Sequence, residues 1–311
     1  MMSGFLKKGW VAVWLLSALA SLAMAQGSGM MGSMGGRAPS RPVMPGNQGQ
    51  RITEDMVIPQ FAVGDQCTTS ILLFNAGNMT RMPWITPQSL QITGSIHFYH
   101  QDGTQLQVSI NGSSQVSSYA FTLSDSDSVA LEISAPGSIT AGWALITVDD
   151  TGANSWVMRN GPQMMRANRL MATAYYSFND NGQFVARAGV IPSLYEMKGH
   201  LTSITPVQVK DGIDTGLAIV NTNAQPVTVQ LTLKDANGQT VATRQFSVPA
   251  LNQATRFIDE AQLFGSEITG TFYGYVQMEI SSEGVVALGL LTTGGVLTSI
   301  PTQHYGLVTM F

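Results

Sequence analysis

Few side chains in this sequence are of a type and spacing that could make or break bonds. The nearest histidine pair is His97 and His100, and His200 and His304 stand far from them. Residues three apart on a strand point to opposite faces, so His97 and His100 cannot ligate one metal ion there. Cys67 opens the apolar run CTTSILLFN without an adjacent base, which reads as a small buried hydrophobe rather than a nucleophile. A single cysteine allows no internal disulfide and leaves a bond between chains as its other use. Acyl transfer would need a nucleophile on a strained turn with a base in reach, and no segment signals either. The chain is expected not to be an enzyme, and no catalytic residue is assigned.

Oxygen ligands suggest calcium instead. Asp125 and Asp127 lie on one side of an extended SDSDS stretch, Asp149 and Asp150 follow an apolar run, and Asp180 sits between Asn179 and Asn181 ahead of Gly182. None completes a calcium loop, and Asx-rich turns also arise wherever hairpins are short, so Asp125, Asp127 and Asp180 are candidates for a structural ion only. No other cofactor is expected. Met30, Met31, Met34 and Met44 could offer thioethers to Cu(I), but no histidine or cysteine joins them. Aromatic side chains form the remaining set: Trp84, Trp156, Tyr99 and Tyr176 are candidates for a platform that holds sugar rings by their apolar faces. Tyr175 and Tyr176 are adjacent, so one must face outward where the other is core.

The elements that carry these residues are short strands. The chain has 311 residues, 44% hydrophobic and 11% charged, with 32 glycines and 13 prolines, which suits strands and turns over helices. Its formal charge of -4 argues against a nucleic-acid partner. Lys7 and Lys8, the apolar run 10–22 and Ala23-Met24-Ala25 form an export signal over residues 1–25, with no transmembrane helix once it is cleaved. Removing it takes the charge from -4 to -6, because Lys7 and Lys8 leave with it. No cysteine follows that run to accept a lipid. Residues 26–56 are rich in Gly, Met and Pro and read as a flexible linker.

An internal correspondence organises the rest. Thr69–Asn75, TSILLFN, matches Thr215–Asn221, TGLAIVN. GSIHFYHQDGTQLQV from Gly94 matches VTVQLTLKDANGQTVAT from Val227, each with a DG or NG turn. GWALITV from Gly142 matches GYVQMEI from Gly274, and Ile191-Pro192 answers Ile300-Pro301. The order is the same in both halves, predicting β-sandwich domains over 57–197 and 198–311 with a boundary near 196–202. Strands are expected at 56–62, 69–75, 92–100, 104–110, 117–123, 128–133, 141–148, 171–178 and 183–191. The second half offers 205–209, 215–221, 226–234, 239–247, 254–258, 271–280, 284–291 and 295–300, with a short helical segment in FIDEAQLF. The first half alone carries insertions at 79–91 and 151–170, which hold Trp84 and Trp156.

Together with IPQFAVG, AGVIPS, RFIDE and SIPT, these motifs resemble a group of poorly characterised secreted bacterial proteins with tandem immunoglobulin-like β-sandwich units, over about residues 57 to 302. The resemblance implies an all-β, exported chain with a structural or interaction role, and it carries no catalytic residues. The expected function is a non-catalytic protein of the periplasm, cell surface or surrounding medium, with an envelope protein, a polysaccharide or a second copy of itself as partner. A carbohydrate-binding or adhesion module using loop aromatics is the alternative. Outer-membrane association, prompted by the terminal YGLVTMF, is a third reading, although a barrel needs a regular lipid-facing band that the repeat does not supply.

Overall fold

A computed structural model describes residues 55–76, 91–149, 170–194, 201–280, 282–293, 296–300 and 302–306. They are almost entirely β. The first half contains β1 (Met56–Val63), β2 (Cys67–Asn75), β3 (Ile92–His100), β4 (Ser109–Ile110), β5 (Ser118–Leu123), β6 (Ser128–Ser134), β7 (Thr140–Val148), β8 (Leu170–Asp180), β9 (Gln183–Val190) and β10 (Ser193–Leu194). The second contains β11 (Leu201–Val209), β12 (Ile213–Asn221), β13 (Val227–Asp235), β14 (Thr240–Val248), β15 (Gln253–Phe257), α1 (Ala261–Phe264), β16 (Phe272–Ile280), β17 (Val285–Thr293), β18 (Val296–Ile300) and β19 (Gln303–Gly306).

Among the described residues all strand pairings are antiparallel, and they form four sheets. Residues before 195 make the orders β10-β1-β7-β3-β5 and β4-β6-β2-β8-β9; residues after 200 make β14-β13-β16-β11-β19 and β15-β12-β17-β18. Laid over the sequence correspondences, the orders coincide: β2 answers β12, β3 answers β13, β7 answers β16, and each keeps the equivalent neighbours. Each pair of sheets encloses an apolar layer, one containing Phe61, Ile71, Phe98, Leu131 and Ile146, the other Leu217, Val229, Leu231, Met278 and Ile280. Two face-to-face sheets around such a layer are β-sandwiches.

The matched residues do the same work in both halves. Thr69 Oγ1 donates to the Ala62 carbonyl at 2.6 Å, and Thr215 Oγ1 to the Gln208 carbonyl at 3.0 Å. Asn75 Nδ2 donates to the carbonyls of Leu123 and Ser124, and Asn221 Nδ2 to those of Val248 and Pro249. All four of these side chains are fully buried, so their polar atoms must be matched internally. A threonine thus ties the start of the strand to its neighbour, and an asparagine ties its end to the exit of the edge strand. Gly142 and Gly274 are equivalent too: a Cβ at either would overlap the carbonyl oxygen of the adjacent strand, at Tyr99 and Lys234 respectively.

Strand parity explains the burial. In β13, Val229, Leu231 and Leu233 are fully buried, with the polar residues between them more exposed. β1 does not alternate; all eight of its residues are buried. β12 and β17 likewise contain long unbroken buried stretches. Their outer faces are covered because the halves pack against each other: Val57 and Trp143 meet Val220 and Val286, and Ala218, Leu288 and Leu290 join the apolar layer of the first half. The expectation at 104–110 is corrected. Only Ser109–Ile110 is a strand there; after one bridge between Tyr99 and Gln105 the chain leaves β3, and β5 takes the edge position.

Candidate functional site

The residues singled out by type fall in separate places. Cys67 is completely buried, its Sγ directed at the Ala62 carbonyl at 3.4 Å, and burial pushes its thiol up to about 12. A nucleophile would need the opposite environment. His97 is half-buried on β3 between Ser118 and Leu145, and burial lowers its pKa. His304 pairs with Ser203 along the backbone, and His200 lies outside the described residues.

Asp125 and Asp127 are exposed in the turn joining β5 and β6, with Ser126 between them at φ 64. Asp180 is exposed in the β8–β9 hairpin, where Asn181 Nδ2 donates to its Oδ1 at 3.0 Å. The two turns lie at opposite ends of β2: the Asp127 carbonyl accepts from Asn75 N, whereas Asp180 follows the pair of Phe178 with Cys67. A calcium ion gathers six to eight oxygens within about 2.6 Å, so these carboxylates do not converge on one ion. Among the described residues no group of three or more histidine, cysteine or acidic side chains is placed to hold a metal.

The aromatic platform is corrected in part. Tyr176 is 3% exposed and points into the core, because Ala174, Tyr176 and Phe178 share the inner face of β8. Its hydroxyl finds no hydrogen-bond partner among the described residues, and burial, then the neighbouring Cys67, raises its pKa. Tyr99 stacks on fully buried Trp143 with ring centroids 4.3 Å apart, at the junction of the two halves. It is partly buried and packs against that contact. Trp84 and Trp156 lie outside the described residues, as do Met30, Met31, Met34 and Met44.

An uncovered surface that the sequence reading missed is the outer face of the β4-β6-β2-β8-β9 sheet. Leu72 and Phe74 project from β2 with 40% and 36% exposure, and Met171, paired with Phe74 across β8, is 55% exposed. The next rows hold Ala130, Leu72 and Thr173, then Glu132, Ser70, Tyr175 and Gly189. The Arg187 guanidinium lies over the Tyr175 ring at 4.4 Å, with Phe184 at 5.5 Å, and Arg187 Nε donates to Ser177 Oγ at 2.9 Å. Apolar side chains therefore occupy one end of the face and a cation held on two aromatic rings the other. The signal was present in TSILLFN, where the outward positions Leu72 and Phe74 are apolar although the strand otherwise alternates with Thr68 and Ser70.

A second polar group gathers in the other half. Asp214 on β12 lies beside Asp259, and the backbone N of the next residue, Thr215, donates to its Oδ1 at 2.7 Å. Burial, Asp259 and, more weakly, Glu260 raise the Asp214 carboxyl to about 8. Arg256 Nε approaches Glu260 Oε2 at 3.8 Å. The arrangement keeps a proton on the Asp214 carboxyl well above the usual carboxylate range.

No family model matches the chain, and no curated protein matches it.

Proposed function

We propose that the protein is a non-catalytic structural or interaction component of the cell envelope or surface, exported behind residues 1–25 and built from tandem immunoglobulin-like units. The observation that carries this reading is the apolar outer face of the β2 sheet. In the other half, the equivalent face, made by Ala218, Val220, Val286, Leu288 and Leu290, is buried against β1 and its neighbours. The same architectural surface is thus a packing surface once within the chain and remains open once, with Leu72, Phe74 and Met171 in water. Large exposed apolar side chains grouped by strand register mark interaction surfaces. Arg187 on β9 faces the same side at the other end of the sheet, giving direction to a contact.

The test is retention of envelope proteins and polysaccharides on the immobilised chain, with Leu72→Glu as the comparison. Loss of retention in the variant supports the reading; equal retention by both forms overturns the assignment of this face. Carbohydrate binding has a narrower basis, since Tyr99 and Tyr176 are occupied in packing. It is favoured by the Tyr175, Arg187 and Phe184 stack, and Tyr175→Ala would remove polysaccharide retention while sparing protein partners.

A further inference from the structure

We propose that the outer face of the β2 sheet pairs with the same face of a second copy, about a two-fold axis running along the strands between β2 and β8. This names the partner of the surface on which the functional reading rests. The register carries the argument. An axis so placed exchanges β2 with β8 and β6 with β9 while preserving the rows along the strands. Phe74 of one copy then lies over Met171 of the other and Leu72 over Thr173, so all the exposed apolar side chains leave water. Glu132 on β6 lies over Gly189 on β9, since both belong to the row of Ser70 and Tyr175.

That overlay is also complementary in charge and shape. Arg187 leans over the Tyr175 ring and so carries its cation into the row that receives Glu132. Gly189 offers no side chain, and nothing lies within 4 Å of where its Cβ would stand, leaving room for the incoming carboxylate. The contact occurs twice, once on each side of the axis, as an isologous interface requires. An axis across the strands through the middle of the face would instead set the charged rows over the apolar ones. Four strands about 4.8 Å apart, bearing rows about 6.8 Å apart, span a footprint on the order of 500 Å² per copy. That is the low end for specific association, so the pairing is expected to depend on concentration, with dissociation constants on the order of micromolar.

Light scattering on the full chain across a concentration series tests this. The expected mass rises from one chain toward two. Glu132→Arg and Arg187→Glu each weaken association at least about tenfold, their combination restores it, and Leu72→Glu abolishes it. Restoration by the double reversal is an outcome that a merely structural role for Arg187 would not produce. A wild-type chain that remains monomeric to about 200 μM, far above a micromolar constant, overturns the proposal. So does a dimer that persists in all three single variants. If the chain is monomeric yet Leu72→Glu still abolishes envelope retention, self-pairing fails while the interaction reading stands; if retention is unaffected as well, both fail.

Discussion

Gln253 Nε2 donates to the carbonyl of Pro59 at 2.6 Å, joining the first residue of β15 to the middle of β1 across the junction of the two halves. The same side chain reaches Gln60, its own backbone N donates to the Gln101 carbonyl at 2.8 Å, and neighbouring Asn252 Nδ2 reaches the Asp102 carbonyl at 3.2 Å. With Gln253 6% exposed, its side-chain bonds to Pro59 and Gln60 form where water cannot replace them. The halves therefore share a buried polar tie as well as the Val57, Trp143, Val220 and Val286 contact.

Gln253→Ala is expected to lower stability by about 1–3 kcal/mol, because it orphans the buried Pro59 carbonyl and opens a space beside it. Urea unfolding followed by tryptophan fluorescence measures this, since Trp143 lies at the same junction. A loss below about 0.5 kcal/mol, the level of an ordinary surface change, would show that the tie is incidental.

Asn75→Ala and Asn221→Ala are expected to be similar in cost, about 1–3 kcal/mol each, since each deprives two or more backbone carbonyls of a donor. Denaturant midpoints of the two variants compare the halves directly. A large effect in one and none in the other would mean that the matched asparagines are not doing equivalent work.

Gly142→Ala and Gly274→Ala force a methyl group into the carbonyl of the adjacent strand and should each destabilise by roughly 1–3 kcal/mol or more. Gly189→Ala is the control, because nothing lies within 4 Å of its Cβ position, and it should stay within about 0.5 kcal/mol. Thermal unfolding of the three side by side checks the distinction; equal shifts in all three would refute it.

Much of the framework was legible because half-buried strands write their parity into the sequence. Val227 to Leu233 alternate without interruption, and the turns at Asp102-Gly103 and Asn237-Gly238 carry glycines at φ 80. The short helix in FIDEAQLF formed over Ala261–Phe264, burying Leu263 and Phe264. Parity was misjudged at Tyr176, yet the flanking residues held the answer: Ala174 and Phe178 continue its face, while Thr173 and Ser177 continue that of Tyr175. The contact between halves was signalled by the apolar stretches Met56–Ile58 and Phe61–Val63 of β1, Leu217–Val220 of β12 and Val285–Leu288 of β17, which strands covered on both faces sustain. The departure of residues 104–110 from β3 was not legible, because GTQLQV satisfies a hairpin pattern as well as VATRQFSV does. Competition from β5 for the same edge decided it. The candidate face was hidden for another reason: a single exposed Leu or Phe is ordinary, and only cross-strand register brings Phe74 and Met171 together.

Cys67 should resist thiol reagents in the native state. It is fully buried, and a thiol pushed up to about 12 holds little thiolate near neutral pH. Labelling is expected to follow global unfolding, rising with urea along the same curve as fluorescence, and non-reducing gels of native protein should show no disulfide-linked pair. Rapid labelling without denaturant would place the thiol at an accessible surface and contradict its position beside Ala62 and Tyr176.

Asp214 should make stability fall as pH rises. Burial first, then neighbouring Asp259, raises its carboxyl to about 8, whereas an unfolded aspartate titrates near 4. Between those values the folded chain holds a proton that the unfolded chain has released, so its contribution is complete below about pH 4 and is lost as pH rises through about 8. Arg256 lies near Glu260, whose own pKa is raised by burial, so Glu260 acts in the same direction and does not cancel the trend. Asp214→Asn keeps a neutral side chain at every pH, able to donate to Asp259. Its urea midpoint should therefore match the parent near pH 4 and exceed it at pH 9, by a margin that opens steadily between about pH 4 and pH 8. Parallel profiles for the two proteins across this range would mean that Asp214 is ionised in the folded state.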